Sequence, residues 1–236
     1  MKLIFKEFSV IDYNRYYFPY CVYCIKEQED TYNDIYSKGF LPYTNDFNIE
    51  DEIYYLARSV KVDLTGKIWN YKQYNVFNKM LKIFSDADLK IQLLDKQLVI
   101  ADADFKKWCL QNAKNHFLTE ERLNYILSRP YLKNILVLKN TDQVLAYQFV
   151  VEENNRFFHT WFSFYDLNIN INDFGKWIIL KVIEWCKSNN YVDYYIGTCY
   201  SKHAFYKLTL SPATSYFDGS TWNTDISTLK QKLLME

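Results

Sequence analysis

Glycine and proline are scarce and scattered: 5 Gly and 4 Pro in 236 residues leave no Pro- or Gly-rich linker at which the chain would divide. Internal repeats and low-complexity tracts are also missing, which excludes a solenoid or a disordered tail. No stretch approaches the roughly 18 uninterrupted apolar residues of a membrane span. The opening Met1-Lys2-Leu3-Ile4-Phe5-Lys6-Glu7 is broken by charge and lacks the apolar region of a secretory signal. Charge of one sign is not in excess either, because 28 basic side chains stand against 28 acidic ones. With no global field to draw in nucleic acid or an anionic membrane, any such partner has to be held locally. Cysteine amounts to 5 residues at irregular spacing, an odd number that suggests no disulfide framework. Together these absences lead to the expectation of a cytoplasmic protein with no membrane partner.

The pair Cys21 and Cys24 is no exception. Two thiols cannot fill the four-ligand shell of a structural zinc, and no second CxxC or CxxH pair follows. On a strand they fall on opposite faces, which also disfavours a redox pair. No metal is expected. What the chain does have is ordinary bulk and an unusual aromatic load: 49% hydrophobic and 24% charged residues, with 22 Tyr and 17 Phe. Its length suits one large domain or two small ones with a core that needs neither disulfide nor metal. Abundant Tyr, Phe, Asn and Lys also fit an AT-rich coding sequence.

Hydrophobic periodicity predicts three strands near residues 134 to 139, 143 to 152 and 156 to 164, joined at Asn140-Thr141-Asp142 and Glu153-Asn154-Asn155. An N-cap at Asn172-Asp173 then opens a helix whose Phe174, Trp177, Ile178, Val182, Trp185 and Cys186 share one face. A strand at Tyr191 to Ile196, a short helix at Lys202 to Lys207, a strand at Thr214 to Phe217 and a helix from Thr224 to Leu234 follow. The first half reads less regularly: a strand at Cys21 to Lys26, a helix from Thr31 to Ser37 and one alternating strand from Tyr54 to Leu64. A helix from Tyr71 to Phe84 and two more between Asp102 and Leu127 complete it. The expectation is an α/β (α+β) fold: an N-terminal αβ subdomain over residues 1–130 and a mostly antiparallel mixed sheet flanked by helices over 131–236, in the order βββαβαβ.

That order, with the Phe205-Tyr206 pair on the short helix, resembles the acyltransferase fold of the GNAT superfamily. The run Phe174-Gly175-Lys176, Tyr195-Ile196-Gly197-Thr198-Cys199-Tyr200, Tyr206-Lys207, Pro212 and Trp222 is similar to the C-terminal half of the arginyl-tRNA-protein transferases. The likeness covers about residues 145 to 235, with a looser match at Tyr32 to Phe40 and Arg58 to Leu64. It departs from that family near the N-terminus, where only Cys21 and Cys24 stand in place of several cysteines. The resemblance implies transfer of an amino acid from aminoacyl-tRNA to the N-terminal amine of a protein or peptide, with no resident cofactor.

In a GNAT-like sheet two strands part and admit the acyl donor, and the N-terminus of the following helix faces the donor's phosphates. This makes Asn172, Asp173 and Gly175 candidates for substrate binding. One Gly and no basic side chain in Ile169 to Gly175 count against acetyl-CoA, the alternative donor. Tyr206 is the candidate acid, and Lys207 a candidate for stabilising the leaving group or binding phosphate. Backbone amides near Gln148 are candidate oxyanion donors if that strand is bulged. Gly197 permits close backbone approach where its strand ends, and Thr198, Cys199 and Tyr200 line what lies above it. Cys199 with His203 lacks the third orienting group of a nucleophilic catalyst. His116 and His159 read as surface or packing residues.

Between residues 58 and 82 six basic residues, among them Arg58, Lys61, Lys72 and Lys79, face a single acidic one, with Trp69, Tyr71, Tyr74 and Phe77 interleaved. The segment reads either as a tRNA-binding patch or as a solvated helix face with its aromatics in the core. Three functions stay open: aminoacyl-tRNA-dependent transfer, CoA-dependent N-acyl transfer, and a decayed module that only binds.

Overall fold

A computed structural model describes residues 1–7, 20–45, 49–113 and 118–235. The first half holds β1 (Lys2–Glu7), β2 (Tyr20–Ile25), α1 (Tyr32–Ser37), β3 (Phe40–Pro42), β4 (Ile53–Leu56), β5 (Ser59–Asp63) and α2 (Tyr71–Leu81). Next come β6 (Leu89–Asp95), α3 (Lys96–Ile100), α4 (Phe105–Gln111) and α5 (Glu120–Ser128). The second half holds β7 (Asn134–Asn140), β8 (Gln143–Glu153), β9 (Phe157–Tyr165), α6 (Phe174–Ser188), β10 (Asp193–Thr198), a 3-10 helix (Lys202–Thr209), β11 (Thr214–Phe217), β12 (Trp222–Asn223) and α7 (Ile226–Met235). From β7 to β11 this is the expected βββαβαβ order, with the short helix wound as 3-10. His116 lies outside the described residues.

Two sheets form. A four-stranded one runs β1-β2-β4-β3, and an eight-stranded one runs β12-β11-β5-β10-β9-β8-β7-β6. The pairings of the large sheet are antiparallel except between β9 and β10. The large sheet therefore draws β5 and β6 from before residue 130, where the sequence suggests a subdomain boundary.

The single strand expected from Tyr54 to Leu64 is two. At Ala57-Arg58 the chain leaves the small sheet for the large one, and the crossing is pinned by Tyr200, whose hydroxyl accepts the Arg58 amide at 2.9 Å. Apolar alternation continues through both strands, so periodicity alone cannot show the break. Asp173 is the N-cap of α6, as expected, but it has a left-handed φ of 70° and makes no side-chain cap bond. Its carboxylate pairs instead with Lys79 at 3.2 Å.

Alternation in the large sheet sends residues to two different cores. Val60, Val62, Leu136, Leu138, Val150, Phe158 and Tyr194 pack on α2, α6 and α7 through Phe77, Met80, Trp177, Ile178 and Leu229. On the opposite face Ile135, Val137, Tyr147 and Phe149 pack on α3 to α5, while Val151, Phe157 and Tyr195 pack on the small sheet and α1. The small sheet thus lies over the centre of the large one, where β9 meets β10. Among the described residues no helix is long and apolar enough to cross a membrane.

Lys61 ties the central strands together. Its ammonium bonds Asp193 at 2.9 Å, both side chains being less than one-fifth exposed, and sits 4.7 Å from the Trp222 ring. Burial raises the Asp193 pKa and Lys61 opposes that rise. Lys61→Ala leaves Asp193 buried without its cation, and urea denaturation at pH 7 should show a loss of about 2 kcal/mol. Because a carboxyl with a raised folded pKa is relieved by taking up a proton, the deficit should narrow as the pH falls toward 5.

Candidate functional site

Strands β9 and β10 are bonded over only three residue pairs, ending at Tyr195 opposite His159. Beyond that point β10 pairs with β5 alone and β9 with β8 alone. A bulge marks each departure: Trp161 is the extra residue between the Phe149–Phe162 and Val150–Thr160 pairs, and Ile196 the extra one between Tyr195–Lys61 and Gly197–Val60. Bulges bend a strand and increase its twist, so the two strands turn away from each other. The gap they leave opens into a cavity of about 200 Å³ roofed by the small sheet. Its lining includes Leu41, Tyr43 and Tyr55 from the roof, Arg122 from α5, His159 to Phe162 from β9, Ile196 to Thr198 from β10, and Lys207.

Gly197 takes a φ of +92° just after the bulge, and a Cβ there would sit 3.5 Å from the Lys207 ammonium nitrogen. Glycine adopts this conformation without the steric cost that other residues bear. The 3-10 helix then brings Lys207 back over the strand end, where its Nζ donates to the Thr198 carbonyl at 2.8 Å. Lys207 has no carboxylate partner among the described residues, and none of the described lining residues is acidic. Burial pushes its pKa down to about 8.

His159, read from sequence as packing or surface, lines this cavity while only 2% exposed. Its Nδ1 lies 2.9 Å from the Tyr36 hydroxyl. Burial, assisted by the nearby Lys207 charge, pushes its pKa down to about 3, so the ring is neutral. The available signal was its place between Phe157 and Trp161 on one face of an aromatic strand.

Of the residues singled out from sequence, Gly197, Thr198 and Lys207 meet in the cavity. Tyr206 does not line it; the side chain is 41% exposed, and partial burial with the neighbouring Tyr165 phenol raises its pKa. Cys199 is fully buried behind the strand end, where burial pushes its thiol up despite the Lys207 and Arg58 charges. Tyr200 anchors the β4–β5 crossing and carries the Arg58 guanidinium 5.5 Å from its ring centre. Gln148 lies one strand away, in register with Leu136 and Ser163; β8 is bulged at Leu145, three residues before it, and the extra residue across from Phe149 and Val150 is Trp161 on β9. Its amide side chain is fully buried with neither polar atom bonded.

Asp173 and Gly175 also stand apart from the cavity lining. At the start of α6, Lys79 bonds the Asn172 carbonyl and the Asp173 carboxylate, and the Tyr165 ring lies so close over Gly175 that a Cβ would meet it at 2.8 Å. An acid and a covering phenol make this helix start a poor cradle for a pyrophosphate.

The basic run from 58 to 82 does not form one patch. Lys61 is held by Asp193 inside the large sheet, Arg58 lies on Tyr200, and Lys79 is bonded at the start of α6. Lys72 is exposed on α2, beside Tyr71 at 70% and Tyr74 at 53% exposure. Phe77 is buried, so only part of the interleaved aromatic set packs in the core. Gln73 on the buried side of α2 donates to the Thr209 carbonyl at 2.7 Å, which joins this surface to the helix that carries Lys207.

No family model matches the sequence, and no curated protein matches it. Among solved structures, the C-terminal domain of a protein described as a lysylphosphatidylglycerol synthetase from Agrobacterium fabrum is 14% identical, with a TM-score of 0.44 over 65% of this chain. L-PGS from Bacillus licheniformis is 13% identical, with a TM-score of 0.42 over 65% of this chain. The chain spans about half the length of each, 50% and 52%. An aminoglycoside acetyltransferase from an uncultured soil metagenomic sample, in complex with sisomicin, is 14% identical, with a TM-score of 0.33 over 52% of this chain and 85% of its own.

Proposed function

We propose that this protein transfers an amino acid from the ester of an aminoacyl-tRNA to an amine, the N-terminal amine of an acceptor protein or peptide. The observation that carries the reading is Lys207: a cavity-lining amine with no carboxylate partner among the described residues, a depressed pKa, and a place where two strands part. A lysine near pH 8 has a substantial neutral fraction under physiological conditions and can accept a proton. The acceptor amine attacks the ester carbonyl carbon, a C–N bond forms, and the carbonyl oxygen takes the negative charge. Neutral Lys207 receives the proton that the nitrogen loses. Collapse breaks the C–O bond, and the Lys207 ammonium returns its proton to the departing ribose oxygen.

A tRNA donor is favoured over CoA by the helix start of α6, where the Asp173 carboxylate and the Tyr165 ring over Gly175 make a poor cradle for a pyrophosphate. It is also supported by the exposed Tyr71 and Tyr74 with Lys72, since aromatic faces stack bases and ammonium groups hold phosphates. No cofactor enters the scheme, and a tRNA donor would set the reaction in the cytoplasm.

Incubation with a radiolabelled aminoacyl-tRNA pool and a set of peptides should move label to peptide; label moving only from acyl-CoA would overturn the donor assignment. In filter binding to charged tRNA, Lys72→Glu combined with Tyr74→Ala should weaken affinity about tenfold and lower the salt slope by about one. Unchanged affinity would remove α2 from the interface.

The rate should follow Lys207. In kcat, which reports the bound complex, activity should rise with pH to a plateau above about 8. Lys207→Ala should lose at least about a hundredfold and the inflection with it, and Lys207→Arg should not restore either. Stability carries the same signature: between about pH 8 and 10 the unfolded chain still binds the proton that folded Lys207 has released. Wild type should therefore gain stability with rising pH in that window relative to Lys207→Met.

A further inference from the structure

We propose that His159 is a catalytic hydrogen-bond donor: the Tyr36 hydroxyl fixes its tautomer, and the Nε2–H points into the cavity to receive the carbonyl oxygen of the acyl group as it becomes negative. The assignment rests on the acyl-transfer reading of the site and adds the oxyanion partner, for which Gln148 was the sequence candidate.

The argument starts from Tyr36. Its side chain is fully buried, and the bond to His159 Nδ1 at 2.9 Å is the sole hydrogen bond of its hydroxyl among the described residues. A phenol has one hydrogen to give. With no second acceptor in reach, that hydrogen goes to Nδ1, which must then be bare, and the ring hydrogen sits on Nε2. The opposite tautomer would aim Nδ1–H at the phenol oxygen and leave the phenol hydrogen buried without an acceptor, an arrangement with a full desolvation cost.

The rings are held rigidly. Tyr36 stacks on Phe157 at 4.2 Å between centroids and meets Tyr195 edge-on at 5.0 Å. His159 is the last residue of β9 bonded to β10, so its ring stands at the apex of the gap. Its Nε2 makes no hydrogen bond to any described group, although the ring lines the cavity that holds Lys207. The titratable groups around it are Tyr36, Tyr195 and Lys207, none of them anionic near neutral pH. A neutral ring with a preset N–H reorganises little when charge develops on a bound oxygen, which is how oxyanion donors act. Lys207 handles the proton and His159 the charge on oxygen. The donor moves no proton itself.

The test is nitrogen-15 NMR of protein labelled at the histidine ring nitrogens, with His159 identified by the signals lost in His159→Gln. The expected spectrum has a bare Nδ1 and a protonated Nε2 that persist from pH 8 to pH 5; a hydrogen on Nδ1 in wild type overturns the assignment without any variant. In Tyr36→Phe the Nδ1–H form should gain population. In transfer assays His159→Leu should lower kcat about 100- to 1,000-fold with little change in KM. His159→Gln, whose amide keeps a donor, should stay within about tenfold of wild type; equal loss in both variants overturns the donor role. A transferase with the hydrogen on Nδ1 leaves the acyl-transfer reading standing. Absence of transfer from any acyl donor overturns that reading, and the catalytic part of this one with it.

Discussion

The short parallel ladder between β9 and β10 is the constraint on which the rest depends. Three residue pairs hold two strands that must then separate, and the separation is enforced by an extra residue on each. The described cavity is built on that parting: Gly197 after one bulge, Thr160 to Phe162 around the other, His159 at the last pair, and Lys207 delivered over the top by the 3-10 helix.

Burial organises the cavity more than ion pairing does. Lys207 bonds a backbone carbonyl rather than an acid, and His159 is kept neutral. Lys61, by contrast, shows what a lysine with a structural task looks like: paired with Asp193, stacked on Trp222 and fixed in the centre of the sheet. The two lysines both meet β10, Lys61 in register with Tyr195 and Lys207 at the Thr198 carbonyl, and differ in whether a carboxylate is supplied. The small sheet contributes through Tyr36, so the irregular first half of the chain shapes the chemistry as well as covering it.

The second half of the fold was legible because its meander and amphipathic helix carry strong period-two and three-to-four patterns, as at Phe157 to Tyr165 and Phe174 to Cys186. Strand β1 was not, since an edge strand with exposed Leu3 and Phe5 shows no buried face to read. Strand β6 alternates Leu89, Ile91 and Leu93 yet found no place in the sequence reading, because its partner β7 lies beyond three helices. In the site, Lys207 and Gly197 were visible through local motif and turn chemistry. His159 was not, because its importance comes from Tyr36, more than a hundred residues away. The ion pairs of Asp173 and Lys61 were hidden for the same reason: their partners Lys79 and Asp193 are distant in sequence.

The position of β5 has a consequence for how the molecule is made. Strands β7 to β9 lie side by side in continuous sequence and can zip as each hairpin closes, a route of low contact order, while β6 joins β7 across three intervening helices. Strand β5 precedes them all in the chain but among the described residues pairs with β10 and β11 alone, so its two ladders join residues 59–63 to 193–198 and 214–216. During synthesis its polar edges must wait for well over a hundred further residues before they have partners. Until β11 arrives the nascent sheet has an open side, and closing it is the long-range step of assembly, exposed to mispairing for as long as it lasts.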